Sequence, residues 1–234
     1  SFIVHNNLTA LASSAIRLKL HKLLLKSYNP KIFVLTKKMK LLYDRQLSPY
    51  AKSRFIPHPN YQNIINRIRI SRPHIKKDKV NIVLLGRQAK ILKNWFLSIN
   101  HEIFTNVHFT IVYSNDIPGF KSRQNITILH QRLTYEEYFS LLSYADFAMF
   151  GMDSDVDNRA SGILMDCVTV ECPIIAPPIG HFLEYQNFGV GYFYEDYLSL
   201  SVILEDINNK NERRERFVRN FSDAKMFSSL RTTK

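Results

Sequence analysis

Between Asp153 and Glu184 the chain runs DSDVDNRASGILMDCVTVECPIIAPPIGHFLE, and the residue types there suit a phosphorylated ligand. Ser161-Gly162 opens a helix, and small residues feeding a helix start leave backbone N–H groups unpaired at the positive end of the helix dipole. Asp166 lies about one turn inside, where a carboxylate can reach a second feature of the same ligand, such as a ribose diol. The pair suggests a nucleotide. A Ser-Gly start is equally an ordinary helix cap.

Other chemistries fit the stretch less well. Asp153, Asp155 and Asp157 occupy the first, third and fifth positions of a calcium loop, but Asn158 stands where glycine is needed and Leu164 where a bidentate glutamate is needed. As a D-x-D metal motif the run comes late in the chain and precedes a phosphate-type helix. The expectation is no metal, with an acidic solvated loop in which Asp157 can cap the next turn. Gly189-x-Gly191 lacks a third glycine and a following helix, so it is no dinucleotide fingerprint. No G-x-S-x-G, H-E-x-x-H or P-loop occurs.

The surrounding elements place this stretch. Val80–Gly86 (VNIVLLG) is a continuous apolar strand of the buried parallel kind, followed by Arg87 and a helix near Ala89–Ile99. Strands follow at Val107–Ser114, Asn125–Leu129 and Asp146–Gly151, with Thr134 and Glu137 forming a capping box for an intervening helix. Pro173–Ala176 is a strand that empties into a Pro-Pro-x-Gly loop, and Gly191–Tyr194 a further short one, with Tyr197–Asn208 helical and Asn211–Arg219 a charged surface helix. Alternation of this kind implies a parallel sheet whose ligands sit at the strand C-terminal edge.

Earlier in the chain, Phe2–His5 and Lys31–Thr36 are strands, Leu8–Lys26 and Lys37–Arg45 are helices, and Arg54–Tyr61 is a strand running into Pro57-His58-Pro59. Two prolines around one residue stiffen a connection, and His58 is structural there. The division expected is a partial α/β domain over 1–61, a basic linker over 62–79, and a Rossmann-type domain over 80–234.

Charge is uneven. The net charge is +12, and residues 1–79 hold 17 Lys and Arg against two acids, while the remainder holds 15 against 18. The basic end suits an anionic partner, a lipid surface or nucleic acid, or is simply a solvated face. Its helix over 8–26 carries apolar residues interleaved with Arg17, Lys19, Lys22 and Lys26, which fits an anionic membrane surface or a sheet cover. Aromatic interleaving for base stacking is poor, so nucleic acid is not expected. No apolar run is long enough to span a membrane. The start lacks the features of a signal peptide and is expected to lie partway through a domain. Cys167 and Cys172 form neither a metal quartet nor a convincing disulfide, which is compatible with a reducing cytoplasm.

LLGR with Lys90 or Lys93, LTYEEYFSLLSYADFAMF, SGILMD and CPIIAPPIGHFLEY, taken in order, resemble the C-terminal half of the retaining GT-B glycosyltransferases that carry an E-x7-E motif. VHNN and RFIPHPNY resemble the last strands of that family's N-terminal domain. The resemblance implies an α/β, GT-B-like fold and transfer of a sugar from a UDP- or GDP-linked donor to a saccharide acceptor, lipid-linked in one version. The configuration would be retained, with neither metal nor cofactor beyond the donor. Residue by residue it implies that Arg87 and Lys93 (or Lys90) neutralise the diphosphate. The backbone amides of Ser161, Gly162 and Ile163 would meet the phosphates, and Asp166 would hold the ribose hydroxyls. His5 would face the donor sugar, and His181 and Glu184, in the loop after PIIA, would contact donor or acceptor.

The first acid of the motif falls on Asn158, a departure: an amide can hydrogen-bond sugar hydroxyls but brings no negative charge to an oxocarbenium-like centre. That departure and the scarcity of glycine leave a second reading open, a catalytically weakened sugar-nucleotide-binding partner protein. Arg159 could meet phosphate or water. The expected location is cytoplasmic, peripheral at the inner membrane face.

Overall fold

The computed structural model describes residues 2–4, 14–28, 31–47, 50, 52–56, 75–99, 103–113, 124–151 and 161–229. The expectations for His5, Pro57–Tyr61, the 62–74 part of the linker and Asp153–Arg159 lie outside these residues.

Two parallel sheets organise the chain. The first has β1 (Phe2–Val4), β2 (Ile32–Val34) and β3 (Ser53–Phe55) in sequential order. Helices α1 (Ala15–Tyr28) and α2 (Lys37–Leu47) connect them. Leu25, Ile32, Val34, Met39, Tyr43 and Leu47 close a small core here. Asp44 ties α2 to β3, accepting from the Ser53 amide (2.8 Å) and hydroxyl (2.7 Å) and pairing with Lys40.

The second sheet has six strands: β4 (Val80–Leu85), β5 (Val107–Val112), β6 (Ile126–Leu129), β7 (Phe147–Met149), β8 (Ile174–Ala176) and β9 (Gly191–Phe193). Their spatial order is β6-β5-β4-β7-β8-β9 and every pairing is parallel. Beginning at its centre, the chain winds outward to β6, then returns to β7 and winds the other way. That reversal beside β4 is the switch point of a Rossmann-type sheet. All six residues of β4 are buried, the five aliphatic ones as expected of a central parallel strand and Asn81 with its side chain bonded to the amide and carbonyl of Lys76.

Helices cover both faces. α3 (Arg87–Ile91) and α4 (Lys93–Ser98) follow β4, with α5 (Tyr135–Tyr144) before β7 and α6 (Gly162–Val170) before β8. α7 (Gly180–Gln186) leads to β9, and α8 (Tyr197–Lys210) and α9 (Phe221–Ser229) follow it. Phe96 and Phe104 meet Phe109 edge-on at 5.1 and 6.1 Å, fixing α4 against β5. The Thr134/Glu137 capping box forms as its spacing predicts.

Several expectations are corrected. The single helix of Ala89–Ile99 is two short ones meeting at Leu92, which is fully buried. Of the strand expected over Arg54–Tyr61, the described residues give β3 over Ser53–Phe55 with Ile56 already past its end. The loop after β8 is helical from Gly180. Asn211–Arg219 is no α-helix: it makes two 3-10 turns, Arg214–Arg216 and Val218–Asn220, and Arg213 and Arg214 turn inward while Arg216 and Arg219 stay exposed. Arg213 donates to Asp146, which also accepts from the Asn81 amide (2.7 Å). Arg214 donates to the carbonyls of Ser143, Ala145 (3.3 Å), Val170 (2.8 Å) and Glu171 (2.8 Å). One guanidinium thereby caps the C-termini of α5 and α6, where the helix dipoles favour a cation.

Removing that fork leaves carbonyls of two helices unsatisfied. Arg214→Ala is expected to lower stability by about 2–4 kcal/mol, and Arg214→Lys, without the planar fork, to recover less than half; chemical denaturation measures both.

Candidate functional site

Because every strand of the second sheet is parallel, the exits of β4, β7 and β8 share one rim. β4 leaves through Gly86, whose φ of 56° and open surroundings suit a residue without a side chain. Arg87 follows and is exposed; Lys90 is exposed and Lys93 half-buried at the start of α4. β7 leaves through Gly151, whose amide donates to Gln88 Oε1 at 2.9 Å, stitching the two exits across the switch point. A Cβ on Gly151 would stand 2.4 Å from Ile91 Cγ2, so the close approach requires glycine.

α6 begins on the same rim. Ser161 is its N-cap, the side chain accepting from the Leu164 amide at 3.2 Å. The Ser161 amide is engaged, donating to His181 Nδ1 at 3.0 Å, so of the three amides expected to face a ligand this one already has a partner. No described residue accepts from the amides of Gly162 or Ile163; Gly162 is exposed and a Cβ there would meet nothing within 4 Å. Among the described residues, nothing engages the helix start at those two amides, Gly162 being exposed and Ile163 half-buried.

Asp166 sits one turn in, half-buried between α5 and α6. Tyr138 donates its hydroxyl to Asp166 Oδ2 at 2.8 Å, while Oδ1 takes no bond from a described residue. Burial pushes the Asp166 carboxyl up to about 6, an effect the Tyr138 bond opposes, and burial next to Asp166 pushes the Tyr138 phenol far up, so it stays a donor. The sequence gives Tyr138 as one more apolar-face residue of a capped helix; only the α5–α6 contact reveals that it orients the carboxylate.

His181 and Glu184 lie on α7, not in a loop. His181 is buried and edge-on to Tyr185 at 5.4 Å; accepting at Nδ1 places its ring proton on Nε2. One turn on, Glu184 Oε1 accepts from the Lys37 amide at the start of α2 (2.5 Å), tying the two sheets' units together. Burial raises its carboxyl, an effect that the backbone N–H groups of Lys37 and Lys38 oppose. A cap of the first unit is thus what the geometry gives Glu184. Phe227 of α9 reinforces the contact, packing on Phe55 of the first unit (6.2 Å) and on Tyr185 and Phe188 of the second (5.7 and 5.3 Å).

Arg87, Gly162, Ile163 and Asp166 therefore lie along the elements of one rim, with Lys93 one helix further on. His5 and Asn158 lie outside the described residues. Among the described residues, no three His, Cys, Asp or Glu side chains cluster as a metal site would need.

No protein-family profile matches the sequence, and no curated protein matches it. Solved structures do. HepE of Anabaena in complex with UDP superposes with a TM-score of 0.68 at 12% identity, over 98% of this chain and 67% of that one. Sucrose-phosphate synthase from Thermosynechococcus elongatus gives 0.65 at 12% over 97% and 62%. WaaG, a glycosyltransferase involved in lipopolysaccharide biosynthesis, gives 0.62 at 16% over 86% and 59%. The fold is the GT-B-like α/β fold of these proteins, and the chain spans about 60% of the length of the structures it matches.

The ionisation of Asp166 supplies a test that needs no ligand. A buried carboxyl whose folded value of about 6 exceeds its unfolded value destabilises the fold above pH 6, and the cost vanishes as pH falls towards 4. Asp166→Asn, which still accepts from Tyr138, is expected to raise stability at pH 7.5 by roughly 1–3 kcal/mol. The gain should disappear by about pH 4 in melts across the range.

Proposed function

We propose that this chain forms the donor-binding portion of a glycosyltransferase that moves a sugar from a nucleoside-diphosphate carrier to a saccharide acceptor with retention of configuration. What supports the reading is that Arg87 follows β4, and α6, with Gly162 and Ile163 in its first turn and Asp166 one turn in, begins on the same strand-exit side of a sheet with Rossmann-type reversal. Structures of HepE with the same fold hold UDP or UDP-glucose. A diphosphate at the α6 start would meet two N–H donors and the helix dipole, with Arg87 and Lys93 as cations. Asp166 Oδ1, left open by the Tyr138 bond to Oδ2, would accept a ribose hydroxyl.

The chemistry asks little else of the protein. As the bond between the sugar and the diphosphate breaks, negative charge grows on the departing phosphate oxygen, and preorganised donors stabilise it where it appears. The acceptor hydroxyl bonds to the same sugar carbon from the face the diphosphate leaves, and its proton passes to the leaving phosphate. Neither metal nor enzyme nucleophile has a required part in this scheme. His5 and Asn158 would attend the sugar, Asn158 through neutral hydrogen bonds. The acceptor fits the side of the first unit, and a lipid-linked saccharide suits its basic character.

A thermal-shift panel tests the reading. UDP or GDP is expected to raise the melting temperature by several degrees, while Arg87→Ala and Asp166→Ala abolish the shift. A panel in which no nucleoside diphosphate stabilises the protein would reject it. Affinity should also weaken as pH drops below about 6, where Asp166 gains a proton; isothermal titration at pH 7.5 and 5 reads the difference.

A further inference from the structure

Helix α1 has two apolar faces, and the first sheet uses only one. Leu18 and Leu25 pack into the small core and His21 Nε2 bonds the Tyr43 hydroxyl at 3.0 Å. On the opposite side Ile16, Leu20, Leu23 and Leu24, spaced i, i+4, i+7 and i+8, form one stripe, exposed by 75, 57, 54 and 55%. Four exposed aliphatic side chains in register on one helix are unusual for a surface that meets only water.

The stripe has a basic border. Arg17 lies along one flank and Lys19 and Lys26 along the other, all exposed, and α1 contains no acid at all. Compensation is scarce nearby: of the two acids in residues 1–79, Asp44 is already engaged by Lys40 and Ser53. An apolar stripe between cations matches an interface of acyl chains beneath anionic headgroups, with the long lysine side chains extending outward to the charge. A protein partner with an apolar groove would not by itself call for cations along both borders.

We propose that the outer face of α1 docks on an anionic lipid bilayer, with Ile16, Leu20, Leu23 and Leu24 entering the interface and Arg17, Lys19 and Lys26 contacting the headgroups. This face then lies along the membrane plane; no helix among the described residues is long and apolar enough to cross a bilayer. Docking on this face holds the first unit at the lipid surface, whatever the second unit binds.

Vesicle sedimentation with the whole chain tests this without nucleotide, so its outcome is independent of the glycosyl-transfer reading. Phosphatidylcholine vesicles containing about one third phosphatidylglycerol should retain the protein, and pure phosphatidylcholine should retain it at least tenfold less. The double variant Leu20→Ser/Leu24→Ser and, separately, Lys19→Glu/Lys26→Glu should each weaken retention about tenfold or more. Because all four positions are exposed, melting temperatures should stay unchanged. Absence of retention, equal retention on both vesicles, or retention indifferent to both variants would overturn the proposal. So would a concentration-dependent dimer that Leu20→Ser/Leu24→Ser abolishes in the absence of vesicle binding.

Discussion

Strand β4 is hydrogen-bonded along both edges, to β5 and β7, and buried from Val80 to Leu85. A strand in that position admits a polar side chain only where its bonds are met, as those of Asn81 are by the backbone of Lys76 and Lys79, and it sets the direction of every other strand in its sheet. Since right-handed crossovers return each strand in the same sense, all helix starts that follow a strand gather at one end and all helix ends at the other. The two ends then acquire opposite duties. At one, Arg213 and Arg214 fill the demands of carbonyls and of Asp146. At the other, Gly86 and Gly162 leave open space and Gly151 lets the exits of β4 and β7 approach closely, so that backbone and a few charged groups line that end.

Much of this was legible in the residues. VNIVLLG and PIIA could only be buried strands, and Thr134 with Glu137 fixed a helix start to the residue. The alternation from Val80 onward implied the parallel sheet, and with it the rim on which Arg87 and Ser161 had to appear. What stayed hidden involved contacts between segments far apart in sequence. Nothing in LTYEEY says that Tyr138 will orient Asp166, 28 positions later. Nothing in NERRER says that Arg213 and Arg214 point inward while Arg216 stays exposed, since a run of charges has the same composition whether it is solvated or capping two helices.

Helix α7 shows how local signals mislead. Pro177, Pro178 and Gly180 punctuate the chain strongly enough to suggest a loop, yet the seven residues from Gly180 to Gln186 form a helix held by burial of Phe182 and Tyr185. Once helical, the segment puts His181 and Glu184 one turn apart and near one face. The loop assignment had given both residues to a ligand; the helix gives one to the Ser161 amide and the other to the amide of Lys37.

This arrangement makes α7 a coupling rod. Its first turn grips the mouth of α6 and its second grips the start of α2, so neither end can be displaced along the rod without the other registering it. Sequence drift on α7 is consequently constrained from two directions: a change that keeps the fit with one neighbour has to keep the fit with the other, although the segment is only seven residues long.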